Sequence, residues 1–175
     1  PADAVVALDT DDNAFFMCQQ FEPREHKFVM SYHLGTTGFA LPAAIAGAVA
    51  YPERQVLAVT GDGGLSFSLG EIITAVAHNL PITVVCFNNA RLGMINSLEE
   101  QMGMPPFLTE RPMTNFARLA EDMGAAGIRV EEPTRLADAL HDALTSHRPF
   151  VVDVAIDPLE RESTALEPTA ARVPV

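Results

Sequence analysis

Gln55-Val56-Leu57-Ala58-Val59-Thr60-Gly61-Asp62-Gly63-Gly64 is the stretch that decides the fold. Its apolar run has the length of one strand and reads as buried, and it stops on a Gly-Asp-Gly-Gly turn. A second run, Ile82-Thr83-Val84-Val85-Cys86-Phe87, ends on Asn88-Asn89, with twenty-four residues between Gly63 and Asn88. Leu69 to His78 reads as the helix between them, so the two strands are parallel and deliver both polar motifs to one edge of a sheet. Open α/β sheets place their ligands at that edge. The Gly63 and Gly64 amides then face an anion near a helix N-terminus. One carboxylate, one amide oxygen, a backbone carbonyl and phosphate oxygens make a hard oxygen shell of the kind Mg²⁺ prefers.

Outward from this pair the pattern continues. Ala4 to Leu8, Lys27 to Ser31, Gly127 to Val130 and Phe150 to Ile156 read as further strands. Asn13 to Gln20, Phe39 to Ala50, Asn115 to Met123 and Thr134 to Ser146 read as helices. Small residues (Ala40, Ala43, Ala44, Ala46, Gly47) let the second of these approach the sheet closely, and Tyr51-Pro52 ends it. Asn115 or Thr114 is available as an N-cap. Ala90 to Thr114, rich in Gly and Pro, reads as a long irregular loop, which in a compact domain is usually functional or mobile. Alternating strands and helices predict an α/β fold, a parallel sheet with helices on both faces, over residues 1–156. Residues 157–175 are charged, Pro-containing and aperiodic, and read as a C-terminal tail.

The 175 residues suit one domain, and 48% of them are hydrophobic, as a buried parallel sheet requires. A formal net charge of −12 argues against nucleic acid and anionic membrane surfaces as partners. It leaves an anionic cofactor open, because a divalent ion and fixed amides act at contact distance. Cys18 and Cys86 form no disulfide framework or zinc spacing, and with no targeting or membrane-spanning pattern the expectation is a cytoplasmic protein. The chain starts at Pro1 and reads as a piece of something longer.

Gly-Asp-Gly followed at this distance by Asn-Asn resembles the thiamine-diphosphate enzymes. The likeness extends to Leu34-Gly35-Thr36-Thr37-Gly38-Phe39-Ala40-Leu41-Pro42 and to Asn89-Ala90-Arg91-Leu92-Gly93-Met94-Ile95, which look like the diphosphate-binding domain of the acetolactate synthase, pyruvate oxidase and benzoylformate decarboxylase group. The resemblance implies thiamine diphosphate and Mg²⁺ as cofactors. Asp62 and Asn89 would ligate the metal through side-chain oxygens, and Arg91 through its carbonyl. Gly61, Gly63 and Gly64 would form the diphosphate turn, the Gly35 carbonyl would accept a hydrogen bond from the aminopyrimidine, and Thr37 would lie beneath the cofactor's bend. Met94 and Ile95 would line the pocket. Asn88 competes for the metal but is better read as a loop-capping amide. His33 is the histidine nearest the Gly35 motif, at a position where the family often has a small residue, and Glu71 reads as a helix-stabilising acid.

The resemblance further implies that the proton-relay glutamate comes from a separate pyrimidine-binding domain, usually on a neighbouring subunit, so no catalytic residue is expected in this chain. A homodimer or homotetramer acting on a 2-oxo acid follows. FAD, carried by several relatives, would belong to a missing middle domain. Simple pyruvate decarboxylases have a proton-donating acid where Ile95 stands. Decarboxylation followed by carboligation is therefore favoured, with a pyruvate-oxidase-like or benzoylformate-decarboxylase-like activity as alternative. A different class is a non-catalytic partner subunit with a degenerate site. A flavodoxin-like or other phosphate-binding domain is disfavoured, since neither a P-loop nor a Gly-x-Gly-x-x-Gly turn is present. Two departures bear on the degenerate reading: Thr37 where the family usually has a bulky apolar residue, and Asp11, with Asp12 beside it, where glycine is common. The opposing reading has Asp11 and Asp12 capping the following helix.

Overall fold

A computed structural model describes residues 1–159. Six strands form one wholly parallel sheet: β1 (Val5–Leu8), β2 (Lys27–Met30), β3 (Val56–Gly61), β4 (Ile82–Asn88), β5 (Ala126–Val130) and β6 (Phe150–Ala155). Their order is β2-β1-β3-β4-β6-β5. The four inner strands are apolar on both faces, so every second residue faces each layer of helices. Registers such as Val5↔Val56, Val59↔Val85 and Val85↔Val152 stack these rows across the sheet.

On one face Val5, Ala7, Val56, Ala58, Ile82, Val84 and Val151 form a core with α2 (Ala40–Ala50), α4 (Glu71–Ala77) and α6 (Phe116–Asp122). On the other, Val85, Val152 and Val154 pack on Ala139 and Ala143 of α7 (Leu136–Thr145), while Val6, Leu8 and Val59 meet Met17 of α1 (Asp12–Gln20). Close approach explains the small residues of α2: a Cβ on Gly47 would sit 3.2 Å from Val5 and 3.4 Å from Val56. Helices thus cover both faces, and Asn115 caps α6 by accepting from the Arg118 amide at 2.8 Å.

Two local expectations are corrected. Asp62 is the first residue of a helix, α3 (Asp62–Ser68), and the expected Leu69–His78 helix is the shorter α4 after a break at Leu69-Gly70. Within this helix Ser66 donates back to the Asp62 carbonyl at 2.7 Å. The expected irregular loop 90–114 contains α5 (Gly93–Gln101). Its polar Asn96 is buried and donates to Thr109, so a residue that looks like loop chemistry is internal to a helix. Of the expected tail, 160–175 lies outside the described residues.

Strand order places the ligand edge. From β1 the chain steps outward to β2 and then crosses to β3 on the other side, so the loops leaving β1 and β3 diverge at their carboxyl ends. Such a switch point opens a crevice.

Candidate functional site

A cavity of about 610 Å³ opens at this switch point. Segments that follow the carboxyl ends of five strands line it: Asp11–Asn13 after β1, Gly61–Gly63 at β3, Asn89–Gly93 after β4, Glu131–Pro133 after β5 and Ile156-Asp157 after β6. Phe16, Phe67, Leu92 and Ile95 add apolar walls. Polar groups converging in an apolar concavity are the usual make-up of a small-molecule site.

Asp62 is 3% exposed and its carboxyl is pushed above the ordinary range by burial. The Arg111 guanidinium, with Nε 3.9 Å from Asp62 Oδ2, and the amides of Asp62, Gly63 and Asn89 oppose that shift. Arg111 is held there by a 2.8 Å donation to Ser66 Oγ. Asn89 Oδ1 accepts from the Arg91 amide at 3.0 Å, which fixes the turn carrying the Arg91 carbonyl. Asn13 is buried; its amide nitrogen donates to the Asp9 and Val59 carbonyls, and its Oδ1 has no protein partner. An unpartnered acceptor in a cavity that also holds Asp62 and Asn89 suits a bound cation or donor.

Asn88 is committed elsewhere. It donates to the Thr114 carbonyl at 2.8 Å and to Asp153 Oδ1 at 2.9 Å, and accepts from the Ala90 amide at 3.3 Å. Asp153, wholly buried, also accepts from the Phe116 amide at 2.9 Å and pairs with Arg129 at 2.7 Å. This network ties β4, β6 and the start of α6 together and leaves Asn89 as the member of the Asn88-Asn89 pair that lines the cavity. Asp9 plays the matching role at β1: it accepts from Gly38 N at 2.9 Å, Phe39 N at 3.3 Å and Thr60 Oγ1 at 2.9 Å. Gly64 is glycine for this reason, since a Cβ would lie 2.5 Å from Asp9 Oδ2 and 2.6 Å from Thr60 Oγ1.

Asp11 stands at φ 88° and ψ −170°, a region that is essentially glycine's. It occupies the N-cap position of α1, yet its side chain makes no capping hydrogen bond. Burial, together with the charges of Asp9, Asp12 and Asp62, raises its carboxyl to about 6. Asp12 is raised as well, by burial. A side-chain cap by Asp11 is therefore not what the structure shows, while Asp12 stands as an acid in the first turn of α1. Thr37 lines the cavity floor, its hydroxyl 3.4 Å from that of Thr10.

Residues 12–154 match the family model described as thiamine pyrophosphate enzyme, C-terminal TPP binding domain. The chain belongs to this family. YdaP of Bacillus subtilis (strain 168), named as a thiamine pyrophosphate-containing protein, is 42% identical over 155 residues, which are 88% of this chain and 27% of YdaP. The acetolactate synthase isozyme 3 large subunit of Escherichia coli (strain K12) is 34% identical over 161 residues, 89% of this chain and 28% of that one. The fold superposes with a TM-score of 0.83 on a thiamine diphosphate-dependent 4-hydroxybenzoylformate decarboxylase of Rhodococcus jostii RHA1, at 23% identity, over 90% of this chain and 30% of that chain. The chain thus spans between a quarter and a third of the length of these relatives.

Within this thiamine pyrophosphate-binding domain the structure brings Thr37, Gly61, Asp62, Gly63, Asn89, Arg91 and Ile95 to one cavity. Gly35, Gly64 and Met94 are not among its lining residues. Gly35 is exposed at φ 62°, its amide donating to the Ser31 carbonyl at 2.8 Å, and His33 is exposed with its ring edge-on to Tyr32. Glu71 opens α4 and accepts from Thr74 Oγ1 at 2.8 Å, as a helix-start acid should. Sequence reasoning missed Asp9, Asn13, Arg111 and the Asp153–Arg129 pair. A lone acid inside the apolar run Phe150–Ile156 was the available signal for Asp153. Arg111 carried none, being forty-nine residues from Asp62. Among the described residues no helix is long and apolar enough to cross a membrane.

Proposed function

We propose that residues 1–156 form the diphosphate- and Mg²⁺-binding half of a 2-oxo acid decarboxylating enzyme, acetolactate-synthase-like in joining the decarboxylated fragment to a second carbonyl. The observation that carries this reading is the meeting of Asp62, Asn89 and Arg91 in one cavity at the switch point. The donor set fits the hard cation: a buried carboxylate, an amide oxygen and a backbone carbonyl, with places left for phosphate oxygens.

In this reading the Asp62 and Asn89 side-chain oxygens and the Arg91 carbonyl would hold Mg²⁺, and the Gly63 amide would be offered to phosphate. When bound, thiamine diphosphate supplies the carbon nucleophile and the electron sink for decarboxylation. Phe16, Phe67, Leu92 and Ile95 give the cavity an apolar lining, and Ile95 has no proton to deliver to a product-forming step. That absence favours transfer to a second carbonyl over simple release of an aldehyde. The proton relay belongs to a pyrimidine-binding domain or subunit, and the assembled enzyme is a cytoplasmic homo-oligomer.

A second reading, a partner subunit with a weakened site, is favoured by one observation: Asp11 holds a glycine-type backbone conformation and puts an acid in the cavity. Mass analysis of small molecules released from gently purified full-length protein, followed by product analysis with pyruvate, tests both. Thiamine diphosphate with acetolactate supports the first reading. Thiamine-free protein that adds no turnover of its own supports the second, and acetaldehyde or an acetyl product would move the activity to another branch.

A further inference from the structure

We propose that Arg111 is the resident counter-ion of Asp62 and makes divalent-cation binding at this site conditional on the diphosphate. The inference rests on the metal assignment above and adds a residue to it. Arg111 Nε stands 3.9 Å from Asp62 Oδ2, while its Nη2 donates to Ser66 Oγ, which itself donates to the Asp62 carbonyl. A Cβ on Gly63 would lie 3.9 Å from Arg111 Nη1, so the guanidinium rests against the first turn of α3.

The backbone around Arg111 is equally fixed. Arg111 N donates to the Ala90 carbonyl at 2.8 Å and Leu92 N to the Thr109 carbonyl at 2.9 Å, with an antiparallel bridge between Arg91 and Glu110. Arg91 and Glu110 also pair through their side chains at 3.2 Å, and Asn96 holds the Thr109 hydroxyl at 3.3 Å. Thr109-Glu110-Arg111 is thus a strap across the turn that carries Asn89 and Arg91, and its last residue places a permanent positive charge beside Asp62. Arginine does not deprotonate at working pH.

A divalent cation arriving alone at Asp62 meets that charge at close range. Asp11, whose carboxyl feels the Asp62 charge, and Asp12, whose Oδ2 a Cβ on Gly93 would meet at 2.6 Å, also attract it, but neither is paired with Arg111, whose charge weakens that attraction. A diphosphate brings negative charge that the guanidinium and the metal share, so the repulsion is offset only when both ligands are present. Arg111 then acts as a positioning residue that couples the two binding events. By reciprocity, the diphosphate tightens the metal by the same factor by which the metal tightens the diphosphate.

Mn²⁺ titration of the protein, followed by the electron paramagnetic resonance signal of free Mn²⁺, with and without thiamine diphosphate, tests this. Arg111→Gln is expected to bind Mn²⁺ alone about tenfold more tightly than wild type, and to lose about the same factor from the enhancement by thiamine diphosphate. Arg111→Lys, which keeps the charge, should stay near wild type. Ser66→Ala frees the guanidinium and should tighten Mn²⁺ alone by two- to threefold; it decides the matter should Arg111→Gln lower the melting temperature. Unchanged or weaker Mn²⁺ binding in Arg111→Gln and Ser66→Ala, with Asp62→Asn abolishing it, overturns the role of Arg111 and leaves the metal site standing. Mn²⁺ binding that survives Asp62→Asn overturns the metal assignment itself.

Discussion

Replacing Asp11 by glycine should stabilise the cofactor-free protein, and the size of the gain follows from two separable terms. At φ 88° and ψ −170° the residue occupies backbone space that costs a non-glycine residue about 1–3 kcal/mol. Its carboxyl is raised from 3.8 to about 6 by burial and by the neighbouring charges of Asp9, Asp12 and Asp62. Fully converted, that shift is about 3 kcal/mol at pH 7, but Asp11 is only partly buried and solvent screening reduces it to about 1 kcal/mol. Glycine costs about 0.5–1 kcal/mol more chain entropy on folding. The net gain is about 1–3 kcal/mol, or roughly 3–10 °C in Tm for a chain of this length.

The pH dependence separates the two terms. The folded carboxyl binds its proton more tightly than the unfolded one, so between about pH 4 and 6 the folded state holds more protons and stability falls as pH rises. The charge penalty is complete above about 6 and vanishes below about 4, whereas backbone strain is indifferent to pH. Thermal melts of Asp11→Gly and Asp11→Asn against wild type at pH 4, 5, 6 and 7 read both. Asp11→Gly should gain at every pH and most at 7; Asp11→Asn should gain only toward pH 7. A Tm for Asp11→Gly at or below wild type at pH 7, or an advantage that grows on acidification, refutes the reasoning.

Asp153→Ala leaves the Phe116 N–H without its acceptor and takes one partner each from Asn88 and Arg129, which keep Thr114 and Glu131, and should cost about 1–3 kcal/mol in a urea titration. Gly64→Ala drives a methyl into Asp9 and Thr60 and should cost about 1–3 kcal/mol by the same assay. Thr37→Met combined with Asp11→Gly should tighten thiamine diphosphate about tenfold at fixed Mg²⁺, equivalent to about 1.4 kcal/mol, as read by equilibrium dialysis. An unchanged dissociation constant would mean that both departures from the family pattern are accommodated.

The sheet was legible because its inner strands are apolar on both faces and punctuated by turn residues, so Val56–Gly61 and Ile82–Asn88 declare themselves without any tertiary information. What escaped was structure whose cause lies far along the chain. Gly93–Gln101 looks like loop because Gly93, Asn96 and Ser97 are poor helix formers in isolation, and only Thr109 makes a buried Asn96 acceptable. The start of α3 at Asp62 comes with the burial of Asp62 and Leu65, packing that a Gly-Gly sequence does not advertise.

The site divides in the same way. Asp62 and Asn89 were readable because each directly follows the carboxyl end of a strand, and all strands of a parallel sheet end on one edge. Asn88 could be separated from Asn89 only as a competing cap, and Asp153 supplies the reason. Asp9 precedes the Asp11 and Asp12 that drew notice, yet its bonds reach Gly38, Phe39 and Thr60 across the fold.

The most direct test of the central claim is a calorimetric titration of thiamine diphosphate into the protein with and without Mg²⁺, for wild type and Asp62→Ala. The account predicts wild-type binding that requires Mg²⁺ and an Asp62→Ala affinity lower by about a hundredfold or more, as loss of a buried charged ligand implies. Binding by wild type that ignores Mg²⁺, or an Asp62→Ala protein that binds as wild type does, would contradict it.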